Sequence, residues 1–218
     1  MARKTGHKIF MTLAAVMAVV PLWLLAAQAF SQVEIRESDF REGDVIFQEA
    51  RSSQSEAIQQ ATGSRYTHCG LVFELNGRMM VYEALGTMSW TPLDRWISRG
   101  VDGHYVLMRL KDSDKILTPA KVAGLKKAGR DLLGKKYDLM FQWSDDTIYC
   151  SELVWKVYER GAGLTLVEPR TFKDFNLKAP AVRAVAQKRY GQKLPLDEKV
   201  VAPSDLMVSP LLEVVVGD

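Results

Sequence analysis

Cysteine and histidine are scarce in this chain of 218 residues, which holds two of the first and three of the second. Two cysteines are too few for a disulfide scaffold. Three histidines, of which His7 lies in an N-terminal leader, give no zinc-ligand spacing, so no metal or other cofactor is expected. Internal repeats and low-complexity tracts are also lacking, which sets aside solenoid and tail-like architectures. An excess of one charge is missing too. The formal net charge is +3, and Arg3, Lys4 and Lys8 of the leader account for it, so the remainder is formally neutral. A basic surface for nucleic acid is therefore not implied.

What the chain does have begins with that leader. Three basic residues precede a long apolar run at 9–27, and Ala27-Gln28-Ala29 is a small-residue cleavage pattern. Residues 1–29 thus read as a secretory signal and 30–218 as the mature protein. The run approaches the length of a membrane-spanning helix, so an uncleaved anchor holding the domain beside a membrane is the alternative. No cysteine follows the cleavage pattern, and the lipoprotein route is not indicated. Export leads to an oxidising space, where a Cys69–Cys150 disulfide is the first suspicion. With 47% hydrophobic and 25% charged residues, the mature part is enough for one packed domain.

Along that domain, Glu42-Gly43-Asp44 offers a turn before a short strand at 45–47, and "RSSQSEAIQQATGS" reads as a polar loop or short helix ending at Gly63. Two β-rich runs flank Asn76-Gly77, the strongest short hairpin signal. "TPLDRWISRG" predicts a short helix capped by Thr91 with Pro92 at its first position, followed by a strand at 104–110. "TPAKVAGLKKAGRDLLG" repeats the Thr-Pro opening at Thr118-Pro119, with Val122, Leu125, Ala128, Leu132 and Leu133 as an apolar stripe. A helix over about 149–160 turns Leu153, Val154, Val157 and Tyr158 inward, and "LKAPAVRAVAQKRYG" suggests another. Strands in the middle and helices around them argue an α+β domain with a mostly antiparallel sheet.

The hairpin carries geometric information. A two-residue turn at Asn76-Gly77 pairs Leu75 with Arg78, Val72 with Val81, Gly70 with Glu83 and His68 with Leu85. His68 and Glu83 then share a face as diagonal neighbours, about 7–8 Å apart at the backbone, with Gly70 leaving room between them. A carboxylate on one imidazole nitrogen fixes the tautomer and frees the other nitrogen to act as a base. Cys69 alternates to the opposite face with Leu71 and Phe73, where a buried structural thiol belongs. That alternation argues against a Cys69–Cys150 bridge if Cys150 lies on the His68 face. Cys150 itself sits where a helix begins, among unpaired N–H groups at the positive end of the dipole, which favours a thiolate.

Other polar residues have simpler readings. Asp44 in its turn is assigned local hydrogen bonding, Asp145-Asp146 the loop before the cysteine helix, and His104 a strand start. Met79, Met80 and the tryptophans are assigned to core or cleft wall.

"GKKYDLMFQWSDDTIYCSELVWKVY" resembles the Gly-x-Pro-Tyr…Asp-Cys-Ser-Gly-Leu-Val signature of NlpC-type cell-wall cysteine peptidases. "REGDVIFQ" and "YTHCGLVFE" are similar to that superfamily's Arg-x-Gly-Asp-Leu-Ile-Phe and His-x-Gly-Ile-Tyr strands, and "PSDL" at 203–206 to its closing loop. In the usual members the cysteine helix precedes the histidine strand. Here His68 precedes Cys150, the mark of the circularly permuted branch, and "SSQS", "VYEA" and "YCSELVWKVYE" look most like its YiiX/YaeF group of papain-like hydrolases.

The resemblance implies a permuted papain-like fold whose antiparallel sheet packs against helices, including the nucleophile helix. It implies Cys150 as nucleophile, His68 as general base and then acid, and Glu83 as the residue orienting His68. The Cys150 N–H would help form the oxyanion hole. Tyr137 matches the family's active-site tyrosine, although Lys136 stands where a proline is usual. The activity implied is metal-free cleavage of an amide through a Cys150 acyl-enzyme, on a peptidoglycan peptide in the bacterial periplasm. Two other accounts stay open: acyl transfer or ester cleavage on lipids by the same dyad, and a binding module on a degenerate hydrolase fold.

Overall fold

Asn76 and Gly77 both adopt left-handed backbone, with φ of 54° and 75°, which is what a type I′ hairpin turn demands. In this computed structural model, which describes residues 36–217, that turn sets the register of the central strands. The signal or anchor expected at 1–29 lies outside the described residues.

Strand β1 (Val45–Gln48) pairs with β2 (His68–Leu75), and β2 pairs across the turn with β3 (Arg78–Leu85). The β2–β3 pairs run from Leu75↔Arg78 through Val72↔Val81 to Leu71↔Tyr82, the register expected from the turn. A second tight turn at Gly86 leads into β4 (Thr87–Pro92), and β5 (Tyr105–Leu110) lies on the far side of β1. Short strands β6 (Lys136–Tyr137) and β7 (Thr147–Ile148) extend the β4 edge, and they form the sheet's parallel pair. A separate two-stranded ribbon joins β8 (Arg170–Thr171) to β9 (Lys199–Val200). Strand β10 (Leu212–Val216) completes an eight-stranded sheet in the order β10-β5-β1-β2-β3-β4-β6-β7.

Helices cover both faces. The polar stretch left open between loop and helix is helix α1 (Ser53–Thr62), capped by the Ser52 hydroxyl and ended by Gly63 in left-handed backbone. Helix α2 (Leu93–Arg99) follows β4, α3 (Ser113–Ile116) is a single turn, and α4 (Pro119–Asp131) opens at the expected Thr118 cap. Helix α5 (Cys150–Ala162) begins on the cysteine, and α6 (Pro180–Tyr190) and α7 (Pro203–Met207) follow.

Because strand side chains alternate, the sheet serves two cores. Val45, Phe47, Cys69, Leu71 and Phe73 face α4 and α5, burying Leu125, Leu153, Val154, Val157 and Tyr158. Ile46, Val72 and Val81 face the other way, against Leu93, Trp96 and Ile97 of α2. In α4 the apolar stripe is narrower than expected: Leu125, Ala128 and Leu132 are buried while Leu133, past the end of the helix, is exposed.

Two local expectations are corrected. Thr91 is not a helix cap: β4 runs through it to Pro92, and the helix starts at Leu93. The Thr91 hydroxyl is taken instead by a buried carboxylate, described below. Asp44 does more than serve its own turn. It accepts from the Arg41 N–H at 2.7 Å, and also holds the Arg109 guanidinium of β5 by two bonds of 2.8 and 2.7 Å. That bidentate pair ties the entry of β1 to its neighbour.

Helices α4 and α5 cross at glycines. A Cβ on Gly161 would fall 2.5 Å from the Leu125 Cα, closer than real carbons approach, so the crossing is set by backbone contact. Gly161→Ala should lower stability by roughly 1–3 kcal/mol, read as a fall in the urea midpoint. An unchanged midpoint would mean that the two helices can part without cost.

Candidate active site

His68, the first residue of β2, and Glu83 of β3 meet as the register requires. His68 Nε2 lies 2.7 Å from Glu83 Oε2, with both side chains buried. Since Nε2 is engaged, Nδ1 is the nitrogen left for Cys150, whose interaction with the imidazole raises the His68 pKa. The Trp96 indole lies across the imidazole at 5.8 Å between ring centres, tilted by 24°. The ring is thus held by a carboxylate at one edge and a flat apolar surface on one face.

Glu83 has two further donors that sequence reasoning missed. The Thr91 hydroxyl and Arg99 Nη2, the latter at 2.5 Å, both reach Oε1. Thr91 was findable: a strand turned back at Gly86 puts Thr91 opposite Val81, hence diagonal to Glu83. Arg99 left no local signal, because its reach depends on how α2 packs beneath the sheet.

These contacts set the charges. Burial disfavours a charged imidazole, but the bonds to Cys150 and Glu83 outweigh it and push His68 up to about 9. Burial likewise opposes the Glu83 carboxylate, yet His68, Arg99 and Thr91 bring it down to about 2. The carboxylate is therefore charged at neutral pH, with the imidazolium and the Arg99 guanidinium as its counter-ions.

Cys150 corrects the reading of Cys69. Cys69 does face the core opposite His68, in the layer of Leu71 and Phe73. But Cys150 belongs to that layer too, at the end of β2, where its thiol is bonded both by His68 and by Cys69. Both cysteines are free and buried. The Cys69 thiol and backbone N–H donate to Cys150, and with the His68 imidazolium they hold its pKa well below the usual thiol range despite burial. Burial and the adjacent Cys150 push Cys69 the other way, so it stays a protonated donor. Cys69 is thus a polar neighbour of the candidate nucleophile, and alternation by itself did not keep the two apart.

The start of α5 is anchored on all sides. Glu152 accepts from the Tyr149 N–H at 3.3 Å, Ser151 donates to the Val201 carbonyl at 2.6 Å, and the Tyr149 hydroxyl accepts from the Val201 N–H at 3.2 Å. Buried Lys156 and solvent-exposed Arg160, farther along α5, hold Asp145, which gives the aspartate a definite task in fastening the preceding loop. The Cys150 N–H, in the first turn, has no acceptor within the helix ladder. Tyr137 and Cys150 line one cavity, and the Tyr137 oxygen accepts from Gln54 Nε2 at 2.7 Å. Burial and the Cys150 charge keep the phenol protonated, so its O–H remains a donor. His104 lies apart, bonded through Nε2 to the Tyr66 hydroxyl at 3.1 Å.

A buried low-pKa thiol at a helix start, an imidazole bonded to it, and a carboxylate orienting that imidazole are the parts of a papain-like thiol hydrolase. The chain belongs to the permuted papain-like amidase family YaeF/YiiX, C92, whose family model matches residues 39–216. It is 43% identical over 173 residues to the uncharacterized protein YiiX of Escherichia coli K12, spanning 79% of this chain and 84% of that one. A crystal structure of yiiX from Escherichia coli O157:H7 is similar with a TM-score of 0.78 and 42% identity, over 82% of this chain and 97% of that one. That relative is described as a metalloprotein. Among the described residues of the present chain, no group of three or more His, Cys, Asp or Glu is placed to hold a metal ion.

The charge pattern predicts a pH response. Alkylation of Cys150 by iodoacetamide should begin at a pH below the ordinary thiol range. Cys69→Ala, which removes one donor to the thiolate, should move that onset to higher pH, and Cys69→Ser should restore part of the shift. An onset that stays put in Cys69→Ala would show that the bond between the two thiols does not support the thiolate.

Proposed function

We propose that this chain is a thiol hydrolase that cleaves an amide bond through a Cys150 acyl-enzyme, with His68 as base and then acid and Glu83 as its positioning residue. The single observation that carries the reading is the buried series Cys150–His68–Glu83, in which His68 is bonded to Glu83 at 2.7 Å and its interaction with Cys150 lowers the thiol's pKa. Membership of an amidase family supports the reaction class.

The steps follow from the geometry. The Cys150 thiolate attacks the carbonyl carbon, and the oxyanion that forms is met by the Cys150 N–H with the Tyr137 hydroxyl close by. The C–N bond breaks as the His68 imidazolium gives its proton to the departing amine, leaving a thioester on Sγ. Water then attacks the thioester and gives its proton to the neutral imidazole. The C–S bond breaks, the acid leaves, and the thiolate–imidazolium pair is restored. Glu83 stabilises the imidazolium at both ends of the cycle without touching substrate.

The leader at 1–29 and the resemblance together support action in the bacterial periplasm. Cell-wall peptide is the substrate class implied by the resemblance.

Cys150→Ala should abolish hydrolysis while leaving the urea midpoint near that of the parent. The rate should fall above about pH 9 as His68 loses the proton it must deliver. In Glu83→Gln the imidazole loses its counter-ion, so this alkaline limb should move to lower pH, with a loss in kcat/KM of about 10- to 1,000-fold. A Glu83→Gln enzyme with parental turnover and an unmoved limb would remove Glu83 from the mechanism. Electrospray mass spectra of the enzyme mixed with an amide substrate should show an acyl adduct on Cys150, and its absence during turnover would rule out the covalent route.

A further inference from the structure

The "SSQS" run at 52–55 has no part in the cycle given above, yet it opens α1 with a specific arrangement. Ser52 caps the helix, and the Ser52 and Ser55 hydroxyls bond to each other at 2.8 Å. Gln54, between them, bonds outside its own helix. Its Nε2 donates to the Tyr137 oxygen at 2.7 Å, and its Oε1 accepts from Arg189 Nη2, in the last turn of α6, at 2.6 Å. Tyr137 is itself fixed beside the nucleophile, because the parallel pairing of β6 with β7 sets it against Ile148, two residues before Cys150.

This series of bonds has only one possible direction. A guanidinium donates and never accepts, so Arg189 can take only the carbonyl end of the carboxamide. The end left for Tyr137 is then the NH2, which donates. The phenol oxygen accepts at that edge, and its single proton cannot go to Gln54. Burial and the neighbouring Cys150 charge keep that proton in place. It is left to point into the space that Tyr137 shares with Cys150. Without Arg189 the amide would be free to turn over and take the proton on Oε1, since either end of a carboxamide can meet a hydroxyl.

The charge at the head of the series matters too. Arg189 Nη1 is buried with no partner among the described residues, and the guanidinium lies 5.4 Å from the centre of the Phe141 ring. Bonds in series polarise one another, so a cation at the first donor strengthens each donor after it.

We propose that Gln54 and Arg189 are positioning residues that fix the direction of the Tyr137 proton, so that the phenol stands ready to donate to the oxyanion formed when Cys150 attacks. This rests on the amide-hydrolase reading and adds two residues to it. No proton passes along the series. The phenol keeps its proton throughout, and its bond to the substrate oxygen tightens as charge develops there and relaxes when the C–N bond breaks.

Two measurements test it. The first is acylation of Cys150 by p-nitrophenyl acetate, followed as nitrophenolate release. Tyr137→Phe should slow acylation about 100-fold with little change in KM. Gln54→Glu, of similar size, keeps the pair with Arg189 but offers a carboxylate that accepts the phenol proton. It should lose about as much as Tyr137→Phe, and combining the two should add little. Arg189→Met should lose about 10-fold, and Arg189→Lys should recover part of that. Gln54→Met, which removes the directing donor, serves if the charged variant fails to fold and should also slow acylation. The second measurement needs no turnover: the Cζ resonance of Tyr137 in protein labelled with [13Cζ]tyrosine, assigned by its loss in Tyr137→Phe. It should move toward the phenolate position in Gln54→Glu and in Arg189→Met. A resonance that stays put in both would overturn the proposed direction of the series. A resonance that moves while every variant acylates at the parental rate would overturn the positioning role and leave the hydrolase reading standing. No acylation of the parent by this ester or by an amide would defeat the hydrolase reading, and the oxyanion role with it, even where the resonance moves as expected.

Discussion

The arrangement depends on one buried carboxylate. Glu83 is almost fully enclosed by the sheet, and an unpaired charge there costs several kcal/mol. It is tolerated because His68, Thr91 and Arg99 all donate to it. Each donor comes from a different element: the start of β2, the end of β4 and the end of α2. Satisfying Glu83 thus fixes where two strands and a helix meet. Removing one member of such a group strands the others, a loss of about 3–5 kcal/mol for a buried pair. The same group that charges the imidazole therefore also secures the fold around it.

The imidazolium then conditions the thiol. Cys150 sits at the end of β2, touching the residue that faces one core, Cys69, and the residue that faces the other, His68. Consecutive strand residues point apart, so an atom can meet both only beyond the strand's end, and this is where α5 begins. A thiol placed under the middle of the sheet would reach only one of them. Cys69 holds its proton and donates it, while His68 supplies the charge, so the two contributions are distinct in kind.

The central geometry was legible in the sequence because it follows from a turn. Asn76-Gly77 fixes a register, the register fixes a face, and the face brings His68 to Glu83. The α4 cap was legible for the same reason: Thr118 and the N–H that it accepts, from Lys121, are three residues apart. The Thr91-Pro92 pair looks identical locally, yet there the hydroxyl is claimed by Glu83 and the strand continues. A carboxylate eight positions away in sequence outweighs a weak local cap. Arg99 and the Cys69–Cys150 contact were not legible, since both depend on packing of α2 and α5 against the sheet, which no spacing encodes.

The two cores also divide the chemistry. His68, Glu83 and Arg99 lie with α2 and Trp96 on one side of the sheet, and this side handles protons and charge. Cys150 opens toward α1 and α6 on the other, where the walls are apolar. Dielectric surroundings thus change across the thiol itself. On the proposed hydrolase reading, proton transfer by His68 and the apolar wall beside Cys150 occupy opposite sides of the thiol and do not compete for the same surface. The chain order of His68 and Cys150 has no bearing on this. What matters is that a strand end and a helix start face each other across the boundary between the cores.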